Sequence, residues 1–377
     1  MKKIAIVNPE LGYAGPDAVA IWMIEALKNK YDLTLITTVS PNLNKLNKFF
    51  NSSLDDKIKV KQIYLPKFLR NTSRTRLLKL HLLMRYCKKH KDNYDLFISS
   101  YGEMDFGKKG IQYIHYPEVN TEAKLVLKSN FYKESLRRKI YQKLGFMISR
   151  YSKENVKSNL TFVNSQWTKE VVDKLYEIES RVVYPPVQDD FEKIDWNDKK
   201  DGFVFIGRIS PDKRPLEMIK VLKKIREQGY DIHIHILGNE GLDKSYVERV
   251  KQEGKKNEWV LYEGKVSRAK LRNIVSHHKY GVSGKKYEHF GIAIAEMINA
   301  GCIGFVNDNG GQIEIIGKNE DLIFHSDEDL VNKIIRVLND KSFQDALQEG
   351  LLIQRKKYTN EDFMNDIRRI VRHFLKE

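Results

Sequence analysis

Short apolar runs, each followed by a glycine- or proline-containing turn and then by a stretch with helical spacing, recur twice along this chain, and few folds accept that pattern. Lys3 to Asn8 (Lys-Ile-Ala-Ile-Val-Asn) is the first, broken by Pro9; Gly12 and Gly15 follow, and Pro16 to Leu27 has helical apolar spacing with proline in the first turn. Strand-like segments continue at Asp32 to Thr37, Lys59 to Tyr64, Tyr94 to Ser100, Gly110 to His115, Leu160 to Asn164 and Arg181 to Tyr184. Strands covered on both faces read as nearly continuous apolar runs, so the alternation predicts a doubly wound parallel sheet. Pro185-Pro186-Val187 and Asp189-Asp190 then open a linker, the polar run Asp195 to Asp201 separates the halves, and the pattern restarts. Its second set is Gly202 to Ile206, Ile232 to Leu237, Val260 to Glu263, Tyr280 to Ser283 and Cys302 to Asn307, with helices from Pro215, over Ala269 to Val275, and from about Glu361 to Lys376. The expected organisation is an α/β chain of two Rossmann-like domains, 1–190 and 191–357, and a closing amphipathic helix in 358–377.

Ligands of such sheets lie at the carboxyl ends of strands. The first turn lacks Gly-x-Gly-x-x-Gly, so no dinucleotide fingerprint is present; Gly15 belongs to a loop that places backbone N–H groups before a ligand, or to a plain tight turn. His115 closes the strand Gly110 to His115, where an imidazole is placed to touch substrate. In the second half, Ser283 to Glu296 carries Glu288 and Glu296 on either side of Gly291. Eight positions on one helix would turn the two side chains apart by roughly 80°, so they do not share a face. The better reading puts Glu288 in a loop, Gly291 and Ile292 at a helix start, and Glu296 about one turn in. Unpaired N–H groups and the positive dipole end would then receive a phosphate between the two acids. The plain alternative is a solvated loop glutamate and an ordinary helix glutamate. Upstream, Gly207-Arg208 and Lys213 flank the turn Ser210-Pro211-Asp212 just after a strand.

Glu288, His289-Phe290-Gly291 and Glu296 stand in the register of the Glu, seven residues, Glu signature, and the sequence resembles retaining glycosyltransferases of the GT-B fold, family 4 type (glycosyl transferases group 1). The resemblance runs over nearly the whole chain and is most specific in the second half. It implies two Rossmann-like domains facing a cleft, with the C-terminal helix returning to the first. It further implies Arg208 and Lys213 on the nucleotide diphosphate, Glu288 on the sugar hydroxyls, Glu296 on the ribose, His115 near the transferred sugar and Gly15 at a phosphate or acceptor contact. Gly207, Gly238, Val266, Phe290, Gly291 and Ile292 are expected around the nucleotide, largely through backbone. The expected activity is transfer of a hexosyl unit from a GDP- or UDP-sugar to a glycan or lipid-linked glycan, with retention, without a divalent metal and without a cofactor beyond the nucleotide sugar. The rivals are a nucleotide-sugar-binding protein without transfer, an epimerase, and a basic nucleic-acid-binding protein. Tyr-Ile-His-Tyr-Pro (113–117) is similar to a segment of mannosyltransferases acting on lipid-linked oligosaccharides, a lead to GDP-mannose. Chemistry agrees with the diphosphate assignment, because a departing diphosphate gains charge and fixed cations aimed at it favour the transition state.

Charge bears on the acceptor. The net charge of +16 is uneven: residues 1–190 hold 33 Lys/Arg against 20 Asp/Glu, and residues 191–377 hold 33 against 30. Between Lys57 and Lys91 there are 12 Lys/Arg and no acid, and Leu77, Leu78, Leu80, Leu82, Leu83 and Met84 form a stripe beside Arg74, Arg76, Lys79, Arg85, Lys88 and Lys89. Such a helix suits an anionic bilayer surface or the core with a solvated basic face, and the complete absence of acids favours the membrane. A second basic segment, Lys128 to Lys157, spaces Phe131, Leu136, Ile140, Leu144 and Ile148 helically. No nucleic-acid motif accompanies the charge. Cys87 and Cys302 stand far apart, indicating neither a disulfide framework nor a structural zinc site. The run Ile4 to Val7 is too short for a signal-peptide core, and no apolar stretch approaches the roughly 18 residues of a membrane span. The expected location is the cytoplasm, with contact to the membrane face as an option.

Overall fold

The structure, a computed structural model, describes residues 1–55, 57–66, 75–119 and 136–376; Arg74 and Phe131 of the basic segments lie outside the described residues. The chain divides into two compact units, Met1–Pro186 with Asn360–Glu377, and Val187–Thr359. In the first, strands β1 (Lys3–Val7), β2 (Asp32–Thr37), β3 (Lys59–Gln62), β4 (Leu96–Ser99), β5 (Ile111–Ile114), β6 (Leu160–Val163) and β7 (Arg181–Val182) form one parallel sheet in the order β3-β2-β1-β4-β5-β6-β7. In the second, β8 (Lys200–Ile206), β9 (His233–Leu237), β10 (Val260–Gly264), β11 (His278–Ser283), β12 (Ile303–Asn307) and β13 (Ile323–Phe324) run in the order β10-β9-β8-β11-β12-β13. Strand order therefore reverses beside β1 and beside β8, and a doubly wound sheet opens its ligand crevice at that switch point.

The central strands are buried along their length, Ile4 to Val7 and Phe203 to Phe205 among them, because helices cover both faces. β3 is exposed at all four positions, as its lysines and glutamine suit an edge. Its observed end at Gln62 falls two residues short of the expected Tyr64. The helix Gly15–Leu27 begins one residue before the expected Pro16, and the helix Gln166–Tyr176 is capped by Ser165, whose hydroxyl accepts from the Thr168 N–H at 3.0 Å. The closing helix Asn360–Leu375 lies in the first unit, where Phe363, Ile367 and Val371 join the core formed by Ile4, Ile6, Ile21 and Ile24. Pro16 and Gly15 start a helix that this last segment covers.

The Arg76–Lys89 helix corrects one expectation. Its stripe faces the protein: Leu80, Leu83 and Met84 are buried with Cys87 against Ala5, Val7 and Phe97. Lys79 is buried too and pairs with Glu10 at 2.5 Å, while Lys88 reaches Asp105 at 2.5 Å. The apolar side offered to a bilayer in one reading of the sequence is thus occupied by the sheet. On the Leu136–Ser149 helix the opposite holds: Ile140, Leu144 and Met147, at helical spacing, are 53, 52 and 73% exposed. Among the described residues no helix is long and apolar enough to cross a membrane.

Candidate active site

At the carboxyl ends of β8, β9 and β10 the loops touch backbone to backbone. The Gly207 N–H donates to the Leu237 carbonyl and the Gly238 N–H to that of Gly264, each within 2.9 Å. Gly238 sits at φ +147°, and a Cβ there would stand 1.8 Å from the Gly207 carbonyl oxygen. Arg208 leaves this junction 58% exposed, with Asp212 4.0 Å away. Lys213, brought back by the Ser210–Asp212 turn, has its Cδ 3.6 Å from where a Cβ on Gly207 would lie and ends on Glu288, Nζ to Oε2 2.5 Å.

Glu288 itself is held by glycine. The turn after β12 brings Gly310, at φ +110°, so near that a Cβ would meet the Glu288 backbone at 2.2 Å, and the Gly311 N–H donates to the Glu288 carbonyl at 2.7 Å. Gln312 ties the same loop through its amide to the Lys285 carbonyl at 2.9 Å, and accepts from Ser283 at 2.9 Å. Burial pushes the Glu288 carboxyl up, but Lys213, Lys285 and His289 outweigh it and hold the group well below the ordinary carboxylate range. Lys285 lies 3.9 Å from Glu288 and is pushed down, first by burial and then by Lys213 and Arg208 as like charges. Sequence reasoning missed Lys285; its position three residues before Glu288 was the available signal.

Gly291 follows at φ +110°, a conformation few residues other than glycine accept, and starts the helix Ile292–Asn299 with no side-chain cap. The helix tip therefore stands beside the lysine–glutamate pair, and a run of initial N–H groups adds a positive end to three cations. Phe290 is buried with its ring against Tyr358 (centroids 5.3 Å), so any contact it makes with a nucleotide falls to its backbone. Val266 and Ile292 are half-buried at the ends of this array.

Glu296 does not stand free. Arg268 grips its Oε1 at 2.6 Å and Asp190 at 2.6 Å, while Arg272 also reaches Asp190 at 3.2 Å. Burial raises the Glu296 carboxyl above its ordinary value despite Arg268. Neither arginine, nor Asp190, stood out in the sequence, because the contact spans more than seventy residues from linker to helix.

The first unit gathers polar groups at its own switch point. His115, half-buried at the end of β5, donates through Nε2 to the Ser100 carbonyl at 3.1 Å; burial lowers its pKa to about 4, so the ring is neutral. Asn8 donates to the Ser100 hydroxyl at 3.1 Å. Gly15 opens its helix beside Asp17, whose buried carboxylate accepts the Ala14 N–H at 2.8 Å. Burial raises Asp17 to about 6, and the neighbouring Glu10 adds to this. Arg76 donates to the Tyr101 hydroxyl at 2.7 Å and pairs with Glu118 at 3.3 Å.

Two doubly wound parallel units of this strand order have the GT-B fold, and the second gathers cations and a bare helix start at its switch point. Residues 186–350, most of the second unit, match the family model of glycosyl transferases group 1. Among solved structures, sucrose-phosphate synthase from Thermosynechococcus elongatus superimposes with a TM-score of 0.74 at 14% identity over 100% of both chains. Anabaena HepE, solved with UDP and glucose, superimposes with 0.69 at 14% over 100% of both. At those identities the likeness concerns the fold alone. By sequence the chain is 24% identical over 245 residues to the GDP-Man:Man(3)GlcNAc(2)-PP-Dol alpha-1,2-mannosyltransferase of Dictyostelium discoideum, covering 56% of this chain and 48% of that one. The human enzyme of the same name is 24% identical over 262 residues, covering 60% and 53%. The chain thus spans about half the length of these relatives.

Proposed function

We propose that this protein transfers a hexosyl unit from a nucleoside diphosphate sugar, bound by the second unit, to a glycan or lipid-linked glycan, with retention at the anomeric carbon. The observation that carries the reading is the Lys213–Glu288 pair at the tip of the Ile292–Asn299 helix, with Lys285 and Arg208 beside it. A diphosphate entering here takes over Lys213 and Arg208 and caps the helix. As the glycosidic bond breaks, the new phosphate charge develops where cations are already fixed, which lowers the barrier without reorganisation. Glu288, kept ionised, accepts hydrogen bonds from sugar hydroxyls. Glu296, held at Oε1 by Arg268, offers Oε2 to a ribose. In this reading the side-chain cations serve the leaving group, so neither Mg²⁺ nor Mn²⁺ raises the rate, and no further cofactor takes part.

GDP-mannose is the first donor to test, since GDP-Man appears in the names of the sequence relatives. Calorimetric titration with GDP, UDP and their sugars, followed by transfer to a lipid-linked glycan, decides the matter. One nucleotide should bind at one site per chain, and Arg208→Ala should abolish donor-dependent transfer while the fold survives. Unchanged turnover in that variant would remove Arg208 from the mechanism, and nucleotide binding without any transfer would leave a binding protein.

The exposed Ile140, Leu144 and Met147, lying in a basic segment of a basic unit, support a peripheral contact with an anionic membrane on its cytosolic face. Flotation with anionic vesicles should recover the protein and neutral vesicles should not. Binding to duplex DNA tighter than to anionic vesicles would support the nucleic-acid reading instead.

A further inference from the structure

At the amino ends of the strands of the second sheet, opposite the loops just described, three imidazoles meet. His233 opens β9, His235 follows two residues on and so projects from the same face, and His278 opens β11. One ring nitrogen from each lies within 4.8 Å of the others, and the Nε2 atoms of His233 and His278 are 2.9 Å apart. Between β9 and β11 runs β8, and the residue it places there is Gly202, paired with His233. A Cβ on Gly202 would lie 2.4 Å from His233 Nε2 and 2.8 Å from His278 Cδ2, while its backbone has no left-handed φ that calls for glycine. The missing side chain is explained by the imidazoles above it.

The rings are also oriented from outside. His235 Nδ1 faces the Glu263 carboxylate at 3.0 Å, and His278 Nδ1 faces the Ile274 carbonyl at 2.5 Å. Both partners accept, so both Nδ1 atoms carry the proton and the Nε2 lone pairs are left for a ligand. Glu263 is re-aimed by a register shift between Tyr262 and Gly264 and is fixed by Lys270 at 2.6 Å. A carboxylate or carbonyl behind a ligating histidine sets ring direction in metal sites, and His235 and His278 each have one.

We infer that His233, His235 and His278 form a site for a divalent transition ion of the zinc class, with Glu263 as the positioning residue behind His235. Three neutral imidazoles suit Zn²⁺, Co²⁺, Ni²⁺ or Cu²⁺ and do not suit Mg²⁺ or Ca²⁺. A tetrahedral ion at about 2.05 Å from each nitrogen sets them about 3.3 Å apart, so the His233–His278 pair opens by about half an ångström and a water takes the fourth position. The ion would link β9 to β11 across β8, and its place at the amino ends keeps it away from Lys213 and Glu288. No step of sugar transfer depends on it, so the two readings stand or fall separately.

Metal-stripped protein titrated with Co²⁺ tests this. One equivalent should give the visible absorption of four-coordinate cobalt, Zn²⁺ should displace it, and the Tm should rise on binding. His278→Ala should lose the signal; since that side chain is buried, His233→Asn, at the partly exposed position, repeats the test in a chain checked for fold by circular dichroism. Glu263→Gln should weaken binding about 10- to 100-fold, and Gly202→Ala should weaken it at least as much. Cobalt uptake by the unaltered protein without tetrahedral bands, or uptake that His233→Asn leaves unchanged, would overturn the site in favour of a plain histidine–histidine hydrogen bond.

Discussion

The two units offer the same kind of place, loops at the carboxyl ends of a parallel sheet beside its switch point, and fill it differently. In the second unit the loops interlock through backbone: Gly238 against Gly207, Gly310 against Glu288. Side chains are thereby released: Lys213 and Lys285 converge on the Glu288 carboxylate, and Arg208 stands near enough to act on Lys285 as a like charge. In the first unit side chains do the joining. His115 and Asn8 are committed to Ser100, Asp17 to a backbone amide, and Arg76 to Tyr101 and Glu118. Glycine contacts make a rigid frame for fixed charge; side-chain networks hold polar groups paired and in place. The former suits a leaving group that changes charge, the latter an acceptor recognised by shape and hydrogen bonds.

The sharpest way to break this contrast is to remove one residue from each place. Lys213→Ala takes a fixed cation from the leaving group, and turnover should fall about 10²- to 10³-fold, the cost of a preorganised transition-state contact. His115→Ala, whose ring already serves the Ser100 carbonyl, removes a neutral hydrogen-bonding group worth about 1 kcal/mol and should cost at most about tenfold. Equal losses in steady-state kcat for the two variants would end the distinction. Next in size is backbone packing. Gly238→Ala forces a methyl onto the Gly207 carbonyl at a φ that L-residues rarely adopt, and should lower unfolding free energy by about 3 kcal/mol. Gly102→Ala in the first unit meets nothing within 4 Å and should leave stability unchanged or raise it by up to about 1 kcal/mol. Urea unfolding measures both, and a Gly238→Ala chain as stable as its parent would show that the loops yield.

Those glycines explain what could be read from sequence. A strand, a glycine and a helix in repeated order left little choice of fold, because short β-branched runs need cover on both faces and the connections need helices. That Gly291 starts a helix with Glu288 in the loop before it was readable, because a glycine before an apolar run restricts the backbone at a fixed spacing; the contact of Lys213 with Glu288 accords with what the resemblance implied. Arg268 and Asp190 were not readable, since an arginine that meets a linker aspartate 78 positions away leaves no local pattern, whereas Lys285 had a local signal in its spacing from Glu288. The stripe on Arg76–Lys89 was ambiguous for a physical reason: helix periodicity marks an apolar face without saying whether a sheet or a bilayer covers it. The imidazole trio was invisible for the same reason as Arg268, being assembled from strand starts that only the sheet order β9-β8-β11 brings together.

Acid response should separate Asp17 of the first unit from Glu288 of the second by sign. Asp17 is raised from 3.8 to about 6 in the folded chain, so its contribution is full below pH 3.8 and is lost as pH climbs through 6, a change of about 2 to 3 kcal/mol. Glu103, raised by burial to about 7, acts in the same sense. Glu288 is lowered, so its contribution is full above its ordinary 4.5 and is lost as pH falls below that. Asp17→Asn should therefore flatten the decline of stability between pH 4 and pH 6.5, and Glu288→Gln should flatten the decline on the acid side. Denaturant unfolding across that range checks it; a parallel displacement of both curves would mean that neither carboxyl titrates differently on folding.

The smallest stability effect belongs to the surface of the first unit, and it tests the difference between its two basic helices. Leu83 on Arg76–Lys89 is fully buried, whereas Leu144 on Leu136–Ser149 is 52% exposed, so Leu144→Ser should change unfolding free energy by less than about 0.5 kcal/mol. Its effect should appear elsewhere. Withdrawing a leucine from an apolar–basic contact removes roughly 1 to 2 kcal/mol of transfer free energy, which weakens binding to anionic vesicles by about tenfold. Vesicle sedimentation at fixed ionic strength reads that change directly. Undiminished binding by Leu144→Ser, with charge alone retaining the protein on vesicles, would assign the basic surface to electrostatics and leave the exposed stripe of Ile140, Leu144 and Met147 without a role at the membrane.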